Sequence, residues 1–436
     1  RSLWWLNPAW VAGLLGAGVS AAAYLIPETM YRDNWRTPKY FDAHFLQMTL
    51  LLTLMFVLGA ASSTVLARGQ RIRDWKVNVP WDSINWWFRI CVGLSIAGYL
   101  AWGAVAVARG ATLALAMGVL RGEKGAASQM KEVYLGTISG VTTLTQLGIV
   151  AIVLGVMIGV AQGWRKVRWP MTVLLMLAVV RALMNSERLA IIELAIPFLV
   201  LGLRLAVFES PRFTGRLRTL LRFVPLAGAG LVLGLFSLFE YFRSWSSYYA
   251  GGPQGFWPFA GLRLLGYYVT ALNNGALMVA RIDPVWAPFA SLHFLWRFPV
   301  ISSLTQAIYP SLKLDNIDWD PYMQILDREA NPEFNNSSAL LPPVVDFGFA
   351  GALLFWLAAG LLCGLLYRWY VDGKIGGLLF YPVFFTGIIE TTRIMYWGEG
   401  RAAIVYLVLI PIAWMCTIWA RRAQRVERRF EWQQSH

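Results

Sequence analysis

The sequence predicts an all-α polytopic membrane protein, with about ten transmembrane helices and one long, partly helical loop late in the chain. Of the 436 residues, 57% are hydrophobic and only 14% are charged, whereas a soluble protein carries about a quarter charged residues. A helix of about 20 apolar residues crosses the bilayer core. Four stretches of that kind contain no charged residue at all: 45–67, 141–162, 349–367 and 402–420.

The apolar stretches divide the chain into ten predicted spans. The fifth and sixth are short, because Arg181 and Arg188 lie between them. Residues 1–240 then contain spans one to seven, 241–347 form the long loop with amphipathic helices, and 348–436 contain the last three spans and a basic tail. The ten predicted spans are 8–26, 45–67, 86–107, 140–162, 170–184, 189–207, 223–240, 348–368, 377–394 and 401–420.

The basic residues predict the orientation of these spans. If the N-terminus is inside, the inner segments hold 19 Lys and Arg against 6 Asp and Glu, and the outer segments hold 17 against 18. Because cytoplasmic loops carry the excess of Lys and Arg, both termini are predicted to be cytoplasmic. The net charge of +14 is therefore a topology signal, and no nucleic-acid-binding module is predicted. Cys91, Cys363 and Cys416 lie in apolar runs and predict neither a disulfide nor a zinc site.

The outer side of the predicted bundle is where charged residues concentrate. The loop 241–347 is rich in aromatic residues, and Phe256–Ile282 and Pro284–Tyr309 predict helices that lie at or dip into the membrane interface. Ionisable residues are nearly missing from the middle of the predicted spans, and the sequence contains no internal repeat. Both features disfavour an ion-coupled transporter. The sequence therefore predicts a working site at the outer boundary of the membrane.

The loop segment 256–282 carries a polar stripe. At 100° per residue, its five polar residues fall within about 60° of one another on a helix. One interpretation is the wet face of an interfacial helix. The other is a stripe that faces a sugar-phosphate cleft, where Arg binds phosphate through paired hydrogen bonds and Asn binds hydroxyl groups. The stripe consists of Arg263, Tyr267, Thr270, Asn274 and Arg281.

Two further places combine arginine with a carboxylate. Arg181 and Arg188 flank a hairpin that also contains Glu187, and both arginines either bind an anion or extend to lipid headgroups. Glu240 and Arg243 stand one helical turn apart, where they form either a local ion pair or part of a site. Four more charged residues are predicted on the same side: Glu390, Arg393, Glu399 and Arg401.

Two weaker signals also lie in the long loop. Asp318 and Asp320 form a DxD sequence that could bind a divalent cation, but a solvated acidic loop is the more common meaning of such a pair. His293 is the one histidine of the loop. A histidine in this setting more often packs or donates a hydrogen bond than acts in catalysis.

One passage of the sequence resembles a known family. A polar Asn/Ser run beginning at Asn331 is followed by Asp346-Phe-Gly-Phe-Ala-Gly351 and then by a span. This order is similar to that of the oligosaccharide repeat-unit polymerases, the O-antigen polymerase family. The Asn-Ser-Glu-Arg hairpin at 185–188, the Glu-Tyr-Phe-Arg-Ser sequence at 240–244 and the pair Asn273-Asn274 also fit.

The resemblance implies a fold and an activity. The fold would be of the GT-C type B class, and the enzyme would be a metal-independent glycosyltransferase without a cofactor. Its substrates would be undecaprenyl-pyrophosphate-linked glycans, polymerised at the periplasmic face of a bacterial inner membrane. Membrane lipids and a chain-length regulator protein are the further partners implied, and nucleic acid is not a partner.

The resemblance and the residue chemistry together assign roles to individual residues. The acceptor base is expected among Glu240, Glu187 and Asp346, with Glu240 favoured and Asp346 expected to cap the N-terminus of its own helix. Arg188 and Arg243 are expected to bind the pyrophosphate, with Arg181, Arg263 and Arg281 lining the same cleft. Glycan contacts are expected from Tyr267, Asn273, Asn274 and His293, and no metal ligand is expected.

Two other functions remain open at this point. An O-antigen ligase would use the same donor but transfer the glycan to the lipid A core, and a histidine in the long loop, here His293, is typical of that group. A flippase or transporter of lipid-linked glycans would carry out no chemistry. The missing repeat and the sparsely charged interior of the spans disfavour that second alternative.

Overall fold

The chain folds into a bundle of α-helices. The computed structural model describes residues 3–67, 75–138, 140–185, 189–207, 215–251, 254–298, 301–309 and 321–434. The structure is 82% helical, and these ranges contain no β-strand. Their one isolated β-bridge joins Ser338 to Ile394. The predicted all-α class is confirmed.

Nineteen α-helices are present in the described ranges. In chain order they are α1 Pro8–Leu25, α2 Glu28–Trp35, α3 Ala43–Leu66, α4 Trp81–Ala108, α5 Leu113–Arg121, α6 Ala126–Gln129, α7 Val141–Thr145, α8 Leu147–Gln162, α9 Arg168–Asn185, α10 Leu189–Gly202, α11 Gly215–Leu221, α12 Val224–Glu240, α13 Phe256–Arg281, α14 Phe294–Arg297, α15 Ile301–Ile308, α16 Pro321–Glu329, α17 Pro342–Asp372, α18 Ile375–Glu390 and α19 Gly400–Gln434. Turns of π-helix follow α6, α10 and α12, at Met130–Tyr134, Leu203–Val207 and Tyr241–Tyr249.

Seven helical segments of the described chain are long and apolar enough to cross a membrane, so the chain is a multi-pass membrane protein. Three of the ten predicted spans are not among these seven. The span 170–184 coincides with α9, 189–207 with α10 and its π-turn, and 377–394 with α18. The number ten therefore stays a prediction. The seven are Pro8–Leu25, Ala43–Leu66, Trp81–Ala108, Val141–Gln162, Val224–Ser246, Pro342–Asp372 and Gly400–Arg422.

The closest helix pair in the core is α3 with α17, and glycine makes that approach possible. A Cβ atom on Gly360 would lie 2.1 Å from the carbonyl oxygen of Phe56, and one on Gly59 would lie 2.3 Å from the carbonyl oxygen of Leu357. Real side chains cannot come so near to a backbone atom. Small residues at such positions let the backbones of membrane helices touch, and the gain in van der Waals contact stabilises the pair.

One half of α13, a helix of the predicted long loop, is enclosed by other helices. Every residue of α13 from Val269 to Met278 is buried, and the helix packs against α1, α2, α12 and α17. The expected position of this helix at the membrane interface stays a prediction. The predicted helix over Pro284–Tyr309 is wrong: residues 283–292 are not helical, and only the short helices α14 and α15 follow. Pro284 and Pro288 lack the N–H that a helix needs.

The packing of α3 on α17 gives a stability prediction. Gly360→Ala should lower the free energy of unfolding by about 1–3 kcal/mol, because the new methyl group overlaps the backbone of α3. Gly103→Ala is the matched control, since nothing lies within 4 Å of a Cβ at that position of α4. The control should be neutral or slightly stabilising. Unfolding of both variants in detergent micelles tests this, and equal stability of the two would contradict the packing.

Candidate functional site

Asn273 fixes α13 against the segment that connects α2 to α3. Its side-chain oxygen accepts hydrogen bonds from the backbone N–H groups of Tyr40 and Phe41, at 2.6 and 3.1 Å. Its side-chain nitrogen donates to the carbonyl oxygen of Pro38 at 2.9 Å. A fully buried amide must find partners of this kind. These hydrogen bonds give Asn273 a structural role. Its contact with glycan stays a prediction.

Asn274 holds the end of the long loop in the same way. Its side-chain nitrogen donates to the carbonyl oxygens of Phe334 and Asn336, and the side chain is buried. Tyr267, one helical turn from Arg263, is half-buried and packs its ring against Phe334 at 5.1 Å. Of the three predicted glycan contacts on α13, only Tyr267 keeps an exposed portion. Its contact with glycan remains a prediction.

Arg263 lies at the centre of a buried ion-pair cluster. Its Nε atom donates to Oε2 of Glu240 at 2.8 Å, and its Nη2 atom donates to Oε1 of Glu333 at 2.5 Å. Arg263 is 5% exposed and Glu240 is fully buried, whereas the Glu333 side chain is 40% exposed. Charges are tolerated at this depth only when they are paired and hydrogen-bonded. We call Arg263, Glu240 and Glu333 the charged triad.

Aromatic rings surround the guanidinium of the charged triad. The Arg263 Cζ atom lies 5.2 Å from the ring centre of Phe334, 5.8 Å from that of Phe259 and 6.0 Å from that of Tyr249. Burial by these rings acts to lower the pKa of Arg263, but Glu240 and Glu333 raise it, and the net direction is upward. Arg263 is therefore a cation at every working pH.

A cavity of about 180 Å³ adjoins the charged triad. Aromatic rings form most of its walls, and carboxylate, amide and guanidinium groups supply its polar lining. Stacking surfaces with a few convergent polar groups are characteristic of small-molecule sites. The cavity is lined by Asp33, Asn34, Trp35, Trp245, Tyr249, Gln254, Phe259, Leu262, Arg263 and Phe334.

A second buried cluster connects α7, α9, α10 and α19. Arg181 donates to the hydroxyl of Thr145 at 2.9 Å, and Arg401 lies 3.4 Å from the carboxylate of Glu193, which is almost fully buried. When the side-chain oxygen and nitrogen of Gln146 are exchanged, both atoms have hydrogen-bond partners. The nitrogen donates to Glu193 at 3.2 Å, and the oxygen accepts from Arg181 at 3.0 Å. We call these five residues the hairpin cluster, because Arg181 belongs to the hairpin predicted from the sequence at 181–188.

Arg393 stands between α18 and α19 and is also paired. Its Nε atom lies 2.6 Å from Oε2 of Glu390, one turn earlier in the chain. Burial acts to lower the pKa of Arg393, while Glu390 and the nearby Tyr268 and Tyr267 raise it, with a net upward shift. Arg393 therefore remains cationic and lies near α13, the helix that carries Arg263 of the charged triad.

The predicted single cleft for Arg181, Arg263 and Arg281 stays a prediction, and the structure gives each of the three a partner of its own. Arg263 belongs to the charged triad and Arg181 to the hairpin cluster. Arg281 points outward and pairs with Glu329 at 2.7 Å, with 51% of its side chain exposed.

Asp346 has a different role from the one expected. Its carboxylate accepts hydrogen bonds from the backbone N–H groups of Ala290 and Ser291, both at 2.7 Å, and from the Ser291 hydroxyl. The expectation that it caps its own helix is wrong, because α17 already begins at Pro342. The helical path is interrupted at Gly348, whose φ of 66° and ψ of 175° are open essentially to glycine alone.

His293 lies near a carboxylate at the start of α19. Its Nδ1 atom is 3.9 Å from Oε1 of Glu399, and 27% of its side chain is exposed. Its ring contacts Phe289 edge to face, with ring centres 6.2 Å apart. The predicted glycan contact of His293 stays untested.

Several predicted site residues lie outside the described part of the structure. These are Glu187, Arg188 and the side chain of Arg243, together with Asp318 and Asp320 of the DxD sequence. Within the described ranges, no three His, Cys, Asp or Glu side chains are grouped closely enough to hold a metal ion. The expectation that no metal is needed stays a prediction.

No protein-family model, curated protein or solved structure matches the chain significantly. A function for the chain is therefore proposed from its own residues and their contacts.

Two charged residues of these clusters escaped the sequence interpretation. Glu193 lies inside the predicted sixth span, where a lone acidic residue is the signal that could have revealed it. Glu333 lies within the passage that carries the family resemblance, but nothing local distinguishes it. It pairs with Arg263, which lies 70 positions away in the sequence. Only the fold brings the two together.

The charged triad gives a prediction about stability. Arg263→Gln should lower the free energy of unfolding by about 3–5 kcal/mol, because it breaks a buried ion pair and leaves the carboxylate of that pair in place. Arg281→Gln is the matched control: the same change, on the same helix, breaks an exposed pair that solvent already screens. Thermal unfolding in detergent should show a large loss for the first variant and little change for the second. Equal effects would contradict the buried role of Arg263.

Proposed function

We propose that the chain is a metal-independent glycosyltransferase that polymerises undecaprenyl-pyrophosphate-linked oligosaccharide repeat units at the periplasmic face of a bacterial inner membrane. The observation that carries the proposal is the charged triad beside an aromatic-walled cavity at one end of a membrane helix bundle. A lipid-linked glycan presents its sugar and its pyrophosphate at that depth. Membrane lipids and a chain-length regulator protein are the further partners proposed.

The chemistry of the transfer needs two kinds of group. The departing pyrophosphate carries negative charge that fixed cations at the membrane boundary can stabilise without a metal. Arg188 and Arg243 remain the proposed ligands of that group, and Arg393 and Arg401 are cations of the same end. The attacking hydroxyl needs a base, for which a carboxylate kept ionised by a neighbouring arginine is suited.

Within the charged triad, the two carboxylates differ in access. Glu240 is fully buried against Arg263, so a direct contact with an acceptor hydroxyl requires the cavity to open. Glu333 shares the same guanidinium but has an exposed side chain. We therefore propose that Glu333 meets the acceptor hydroxyl and that Glu240 fixes the position and charge of Arg263. This assignment modifies the sequence-based preference for Glu240.

An assay with purified protein and a synthetic lipid-linked repeat unit tests the proposal. Wild-type protein should form polymer in excess chelator. Glu333→Gln should lower the rate by about 10²–10⁴-fold, the range of general-base catalysis, while donor binding is retained. Glu329→Gln is the matched control, since Glu329 pairs with the exposed Arg281, and it should remain active. A product that forms only with added magnesium, or a fully active Glu333→Gln, would contradict the proposal.

The proximity of His293 to Glu399 favours a second candidate, the O-antigen ligase. A ligase would transfer the same glycan to a lipid A core acceptor instead of to another repeat unit. Offering both acceptors in the assay above separates the two functions. Transfer to the lipid A core that disappears in His293→Ala would favour the ligase.

A further inference from the structure

A second cavity lies at the other end of α9 from the hairpin cluster. It has a volume of about 400 Å³ and lies between α8, α9 and α10, beside the first turns of α9. Its size is within the roughly 300–1,000 Å³ that small-molecule sites occupy. Two polar residues, Arg168 and Thr172, are part of its lining, and the remainder is apolar. The lining residues are Ile152, Trp164, Arg168, Met171, Thr172, Leu175, Leu194, Ala195, Phe198 and Leu199. We call it the α9 groove.

The shape of the α9 groove follows from the sizes of its side chains. Thr172 and Ala195 are small and leave a hollow between the helices. Trp164 and Phe198 stand over it with their rings edge to face, 6.3 Å between centres, and both are partly exposed. Trp164 lies just beyond the predicted span 140–162, and Trp is enriched at the boundary between the bilayer and water.

Three cations surround the end of the α9 groove. Arg165, Lys166 and Arg168 are all exposed, within four residues of one another. Lys166 donates to the amide of Gln162 at 3.0 Å, and Arg168 lies over the ring of Trp169 at 5.7 Å. In the described part of the chain, none of the three forms an ion pair with a carboxylate. Their charge is therefore available to an anion at the mouth of an apolar groove.

We infer that the α9 groove binds an anionic glycerophospholipid, with an acyl chain between the helices and the phosphate on Arg165, Lys166 and Arg168. Charge complementarity indicates this ligand. The apolar groove of a membrane helix bundle is in contact with acyl chains, and the three cations favour a lipid with an anionic headgroup. By the distribution of basic residues, this end of the bundle is the cytoplasmic one, where anionic lipids are concentrated. The site is independent of the proposed transferase activity.

Native mass spectrometry of the purified full-length protein tests the site. The probes are phosphatidylglycerol and phosphatidylcholine with identical acyl chains. Each cation near an anionic lipid contributes about fivefold to binding. Wild-type protein should therefore bind the first phosphatidylglycerol at least about tenfold more tightly than phosphatidylcholine. A combined variant with Arg165→Gln, Lys166→Gln and Arg168→Gln should lose that preference.

Three further variants distinguish a site formed by the groove from a general attraction between the lipid headgroup and basic residues. Arg421→Gln with Arg422→Gln removes two exposed cations of α19 at the same predicted end and should leave the preference unchanged. Ala195→Trp should fill the groove and weaken the first binding step of both lipids, and Ala195→Leu serves the same purpose with a smaller side chain. The inference is overturned if the α19 variant removes the preference as fully as the groove variant. It is also overturned if folded groove-filling variants bind both lipids like the wild type.

Discussion

The ion pair between Arg263 and Glu240 is the interaction on which the placement of the long loop depends. Glu240 lies at the end of α12, and burial of its carboxylate without a cation would cost free energy of folding. Arg263 of α13 supplies a cation to it. Glu333 then joins the pair from the far end of the loop. Three segments that are distant in sequence thus meet at one guanidinium, and α13 is held inside the fold.

Pairing of buried charges also determines the properties of the end of the bundle at which the charged triad lies. The charged triad, the hairpin cluster and the pair of Arg393 with Glu390 each neutralise most of their own charge. Such paired groups keep their position, which a site for a charged, lipid-linked substrate requires. The aromatic cavity beside Arg263 supplies a surface on which a sugar ring can stack. The proposed transferase depends on this combination.

Hydropathy and helical periodicity predicted much of the fold. The charge-free run 45–67 became α3, and the segment 256–282 became α13 almost residue for residue. The burial of Arg263, Thr270 and Asn274 in the polar stripe of α13 was not predictable, because polar residues have the same helical spacing whether they face water or other helices. The partners of Arg263 lie 23 and 70 positions away in sequence. Pairing over such distances is a property of the tertiary fold, and so is the link from Asp346 to Ser291.

The most direct test is a double-mutant cycle on Arg263 and Glu240, read out as the free energy of unfolding in mixed micelles. If the ion pair organises the loop, Arg263→Gln and Glu240→Gln should be strongly non-additive, with a coupling energy of about 2–3 kcal/mol. The double variant would then be more stable than the sum of the single changes implies. Effects that add to within about 0.5 kcal/mol would show that the two residues act independently, and would contradict the account.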